Sequence, residues 1–151
     1  MIEALFLLLA QPDGEAAWQV PDAPTVAEEP PEPDDDCDDP QTQQRMNFCA
    51  SLEQGRAQAE LDEQWALTSA ALRALDERID REFDRQPGHY ETLKESQQAW
   101  LAHRDAHCLA EGFLARGGSM QPMLESYCRA FLNRQRIMQL RELTASLTAG
   151  G

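Results

Sequence analysis

Between Ala99 and Cys108 the sequence reads AWLAHRDAHC, and these are residue types that a transition metal binds. His103 and His107 stand four apart with Asp105 between them and Cys108 alongside. On a helix that spacing puts two imidazoles on one face, but zinc needs at least one further ligand, and His89 is the only other histidine. Histidine pairs at this spacing arise often by chance, so the reading is two solvated histidines with no metal and no cofactor. No nucleophile–base pair, paired carboxylate motif or phosphate loop can be placed elsewhere in the body, which argues against an enzyme.

The elements that would carry these residues are helical. From Pro40 onward, apolar residues recur three or four apart at Met46, Cys49, Leu61, Trp65, Leu72, Leu75, Ile79 and Phe83. Thr42 suits the N-cap of this first helix, and Gly55 interrupts the pattern without ending it. The breaker QPGH at Gln86 to His89 closes the segment. A second helix is predicted from about Glu91 to Arg116, and a GGS turn, Gly117 to Ser119, leads into a third. The third begins near Pro122, whose missing N–H suits a first helical turn, and fades after Leu143. No segment alternates with period two, so no sheet is expected. The fold class is therefore all-α, a three-helix up-down-up bundle with a long first helix that overhangs its partners. On the second helix Leu93, Gln97, Trp100, Leu101, Arg104 and Cys108 share the inward face, with His103 off it and His107 at its edge. Arg104 then lies between Trp100 and Cys108, where a guanidinium requires an oxygen acceptor.

Charge separates the body from what precedes it. The chain of 151 residues has a formal charge of −14. Twelve carboxylates and no lysine or arginine lie before Gln41, whereas the remainder holds fifteen acids against thirteen bases. A body without basic surplus argues against nucleic acid as a partner. Residues 1–10 contain the apolar run ALFLLLA, of signal-peptide length but without a positive start, and read as an irregular export signal. That run is too short to span a bilayer, and no transmembrane segment is expected. Residues 11–40 combine prolines with like charges and few large apolar groups, so they read as a disordered acidic linker. Residues 41–146 form the helical domain.

Four cysteines, Cys37, Cys49, Cys108 and Cys128, contain no C-x-x-C pair and so indicate neither a zinc knuckle nor a thioredoxin-like centre. An even count behind an export signal favours disulfides in an oxidising compartment. Cys108 and Cys128 fall at similar heights on antiparallel helices, which favours Cys108–Cys128 with Cys37–Cys49. The pairing Cys49–Cys108 with Cys37–Cys128 is also feasible, because those positions cluster at one end of the bundle.

The stretches TQQRMNFCA, AELDEQW, LKESQQAWLAHRDAHC and GGSMQPM, followed by Cys128 and Arg136, resemble the LprI-type lysozyme-inhibitor N-terminal-domain family. The resemblance runs from about Cys37 to Leu143. It implies a small exported, helical, cysteine-cross-linked protein of the bacterial envelope, periplasmic or secreted. It also marks Met46, Asn47, Gln97, Trp100, Arg104, Asp105, Gly117, Gly118, Ser119 and Arg136 as motif positions. Three departures stand out: Asp62 where the family tends to have Asn, His103 where it tends to have Tyr, and Asn133 where it tends to have Thr. The family's usual tyrosine at 103 is no metal ligand here, which weakens the metal reading further.

Fold does not by itself confer activity. The first functional reading is a binding protein that inhibits lysozyme through its surface, with lysozyme or another envelope protein as partner. The alternative is a structural or stress-associated envelope module that binds other proteins or cell-wall components. Ser119 on the GGS turn is the candidate contact residue, against the plainer role of capping the third helix.

Overall fold

The computed structural model describes residues 37–149, with side chains through Leu147. The readings of residues 1–10 as a signal and 11–36 as disordered linker lie outside the described residues. Three α-helices form the described body: α1 (Gln43–Asp76), α2 (His89–Gly112) and α3 (Gln121–Ala149), with a 3-10 turn at Phe113–Ala115. No strand occurs among the described residues, and none of their helices is long and apolar enough to cross a membrane.

Thr42 opens α1 in extended backbone, its hydroxyl accepting the Arg45 N–H at 3.2 Å. That bond satisfies one of the donors a helix start leaves unpaired. The helix then runs 34 residues but stops at Asp76, not near Phe83 as the apolar spacing predicts. The reason is polar. Asp76 turns its carboxylate onto the start of α2, where it accepts the backbone N–H of His89 at 2.7 Å and of Tyr90 at 2.9 Å. The His89 ring nitrogen Nδ1 adds a contact at 2.8 Å. Gly88, the N-cap of α2, has no side chain to offer, and a Cβ there would stand 2.9 Å from Asp76 Oδ2. Glycine thus admits the carboxylate that replaces its own missing cap. Between the helices, Asp80 and Asp84 accept the N–H groups of Glu82 and Gln86, local turns that compete with further helix. Phe83 is left 87% exposed on this connection.

α2 begins two residues earlier than the periodicity predicts and α3 ends later, at Ala149 instead of near Leu143. Leu143 and Leu147 pack against the core, which supplies the apolar contact the last turns of α3 need. That core is the buried cluster Leu61, Leu72, Leu93, Ile137 and Leu140, bordered by Trp65, Leu75, Tyr90 and Trp100. The inward face of α2 follows the predicted register: Leu93, Gln97 and Cys108 are buried, Trp100, Leu101 and Arg104 half-buried, and His103 and His107 exposed. Disulfides join Cys37 to Cys49, with Cα atoms 5.7 Å apart, and Cys108 to Cys128, at 5.4 Å. The first ties residues 37–40, the end of the predicted linker, to α1.

The Asp76 cap makes stability depend on pH in a defined direction. The Tyr90 N–H, followed by the His89 contacts, holds the carboxyl below its ordinary value of 3.8, against an opposing effect of burial. A group whose folded pKa is depressed contributes stability above its unfolded pKa and loses it as pH falls through the folded one. Asp76→Asn is therefore expected to lower the melting temperature by a few degrees at neutral pH, with the gap closing in acid below the ordinary carboxylate pKa. Thermal melts of both proteins across that range check it, and a pH-independent gap would contradict the cap.

Candidate functional site

The motif positions separate into two groups in space. Gln97, Trp100, Arg104, Asp105 and Arg136 meet in a polar layer between the three helices. Asn47, Gly117, Gly118 and Ser119 meet at the end of the bundle where α2 turns into α3, with Met46 half-buried beside Asn47 on α1.

In the polar layer, Arg104 Nη1 donates to Gln58 Oε1 at 3.0 Å and to Asn133 Oδ1 at 2.9 Å. Its Nε and Nη2 both donate to Asp105 Oδ1, at 3.0 and 2.9 Å. Asn133 is fully buried and closes the triangle by donating Nδ2 to Gln58 Oε1 at 3.1 Å. Arg136, only 9% exposed, has neutral acceptors throughout: Gln97 Oε1 at 2.9 Å, Gln139 Oε1 at 3.0 Å and Ser96 Oγ at 3.3 Å. Burial pulls its pKa down, yet a guanidinium stays protonated. The Trp100 ring lies between the two cations, its centroid 5.3 Å from Arg104 Cζ and 5.7 Å from Arg136 Cζ. This layer orients three helices by directional bonds.

Arg104 and His103 should accordingly respond differently to truncation. Arg104→Ala strands the buried Asn133 oxygen and removes charge-assisted bonds, a loss of about 2–3 kcal/mol. His103→Ala, on the exposed face, is expected to stay within about 0.5 kcal/mol. Equal drops in melting temperature would refute this register.

At the bundle end the chain reverses through Gly117, whose φ of +75° only glycine adopts freely. Gly118 N–H donates to Ala115 O at 2.8 Å, and Gln121 Oε1 accepts the Gly117 N–H at 3.0 Å. Asn47 reaches across from α1 to donate Nδ2 to Ser119 O at 3.0 Å, while Gln43 Nε2 holds the Asn47 side-chain oxygen at 2.9 Å. The turn is thus tied to both α1 and α3. The expected capping role of Ser119 is not what the structure shows: α3 starts at Gln121, and no hydrogen bond from the Ser119 hydroxyl to a described residue is formed. Leu114 is 83% exposed and Met120 45%, and the turn encloses an open depression of about 400 Å³ with Ser119 in its lining.

The histidines do not assemble a centre. His103 and His107 stack with ring centroids 5.6 Å apart on the exposed side of α2. The donor atoms of His107, Glu111 and Cys128 lie within 4.8 Å of one another, but the Cys128 sulfur is bonded to Cys108 and offers no thiolate. His89 sits fourteen residues before His103 on the same helix, about 20 Å away at the helical rise, paired with Asp76.

Sequence reasoning missed Gln58, Gln139 and Asp76, and took Asn133 only as a departure from the family pattern. A related signal existed for two other polar residues of α1: Gln64 and Thr68 share a helical stripe with Ala57, Leu61 and Leu72, and all five are buried. Polar side chains at such positions indicate cross-helix hydrogen bonds.

Known proteins bear on this architecture as follows. An uncharacterized protein of Rhizobium meliloti (strain 1021) is 41% identical over 115 residues, which cover 76% of this chain and 83% of that protein. No solved structure matches the chain. The family described as Lysozyme inhibitor LprI matches residues 35–140. That span takes in both disulfides, the whole polar layer and the Asn47-anchored turn, and the chain belongs to the LprI lysozyme inhibitor family.

Proposed function

We propose that the protein is an exported inhibitor that blocks lysozyme through its surface, with no catalytic group of its own. The family match across the helical body carries this reading. Two disulfides support an oxidising location outside the cytoplasm, periplasmic or secreted. The contact surface is the anchored turn at Gly117 to Met120. Met120 and the Ser119 hydroxyl of the turn, with exposed Leu114 just before it, offer apolar area and a polar tip at little ordering cost. Lysozymes are basic enzymes with a carboxylate-lined cleft, and the acidic residues before Gln41 supply long-range attraction while the turn supplies contact.

Two measurements test this. The purified protein is expected to inhibit lysozyme, less so at moderate than at low salt, and Leu114→Lys is expected to weaken inhibition about tenfold without changing the melting temperature. Removing residues 1–36 is expected to slow association and flatten its salt dependence, because screening acts over a Debye length of roughly 8–10 Å, with dissociation little changed. Absence of inhibition at either salt would refute the reading and leave an envelope module that binds another protein or cell-wall component. An association rate indifferent to the truncation would make the acidic segment a spacer.

A further inference from the structure

At the end of the bundle remote from the GGS turn, a cavity of about 390 Å³ opens between the helices. Its size falls in the range of small-molecule sites, about 300–1,000 Å³. Leu72 and Leu93, both buried, form its inner wall, and Leu143 and Leu147 on α3 line the other side. Thr92 and Ser96, exposed on α2, bring hydroxyl groups to its solvent side. The lining is therefore amphipathic, an apolar interior with a polar lip.

Ser96 connects this lip to the Arg136 guanidinium, which lies behind it outside the lining. Its Oγ accepts from Arg136 Nη2 at 3.3 Å, and no carboxylate of the described residues pairs with that guanidinium. A guanidinium has five N–H donors, of which three are used here, so donors remain. A buried cation held only by neutral acceptors favours an anion close by. The other basic group at the lip, His89, is already matched by Asp76 at 2.8 Å. The positive charge to be answered is that of Arg136, and the ligand that answers it must also fill a leucine-lined space.

We infer that this cavity binds the alkyl chain of a medium-length fatty acid, with the carboxylate seated at Ser96 under the charge of Arg136. The leucine walls take the chain by apolar burial, and the head group selects for an anion. This site is separate from the turn assigned to lysozyme contact and does not depend on that assignment.

Isothermal titration of the full chain with decanoate, kept below its micelle-forming concentration, tests the site. Saturable binding of one decanoate per chain is expected, at least about tenfold tighter than decyltrimethylammonium, which has the same chain and the opposite charge. Ser96→Glu places a fixed carboxylate beside Arg136 at an exposed helical position. It is expected to keep or raise the melting temperature and to weaken decanoate binding at least about tenfold. Leu143→Trp, which fills the cavity, is expected to abolish binding. No saturable decanoate binding, equal affinity for the cationic surfactant, or undiminished binding in Ser96→Glu would each overturn the inference. Binding of lysophosphatidylglycerol in place of decanoate would overturn the fatty-acid assignment.

Discussion

Serine at both Cys108 and Cys128 is expected to lower the melting temperature of the oxidised protein by roughly 10–20 °C. The two cysteines are separated by 20 residues, and closing a loop of that size in the unfolded chain is worth about 3 kcal/mol. The bond also does mechanical work in the fold. It staples α2 to α3 just before and after the connection 113–120, where Phe113, Leu114 and Met120 are exposed and contribute little burial. Opening it frees the end of the bundle that carries Ser119, so under the proposed function the variant is also expected to lose inhibition of lysozyme at temperatures where the body is still helical. Far-UV circular dichroism through a thermal melt, with inhibition measured on the same samples, reads both effects. A fall of less than about 3 °C would show that helix packing alone holds this end. Thiol titration of native protein purified without reductant gives the complementary check: no reactive thiol is expected, since no free cysteine occurs among the described residues.

The second large effect belongs to the core. Leu61 is 1% exposed in the middle of α1 and belongs to the cluster with Leu72, Leu93, Ile137 and Leu140. Leu61→Ala is expected to cost about 3–5 kcal/mol, since the loss of transfer energy adds to that of a cavity that rigid helices cannot close. The apolar cluster is small for three helices, and Gln64, Thr68, Gln97 and Asn133 occupy neighbouring buried positions. Few other apolar contacts can therefore compensate. Phe83→Ala removes a larger apolar side chain from the same predicted stripe, yet at 87% exposure it is expected to change stability by less than about 0.5 kcal/mol. Chemical denaturation of the two variants separates burial from periodicity. Similar midpoints for both would mean that Phe83 is covered in solution.

Much of the bundle follows from local pattern. Thr42 before a run of helix formers, the breaker at Gln86 to His89, and two adjacent glycines before Pro122 lie at the starts of the three helices by backbone preference alone. The inward face of α2 follows from the helical repeat, which is why Arg104 is drawn inside and His103 left in solvent without reference to any other helix. The turn carrying Ser119 was legible for the same reason: Gly117 accepts a backbone angle that other residues resist.

Other features had no local signature because they depend on distances across the fold. Asn47 and Ser119 are 72 residues apart, and only the meeting of α1 with the α2–α3 connection makes them partners. The apolar spacing through Ile79 and Phe83 continues beyond Asp76, and α1 ends there because the carboxylate is positioned to cap α2. The four cysteines left two pairings open at one end of the bundle, and the fold forms the one that helix spacing favoured, Cys37–Cys49 with Cys108–Cys128. Arg104 and Arg136 look alike as single basic residues on amphipathic helices. Tertiary packing added Gln58 and Asn133 to the first, beside its sequence neighbour Asp105, and Gln97 and Ser96 to the second, because cross-helix partners are assigned by proximity in space and helical periodicity specifies only a direction.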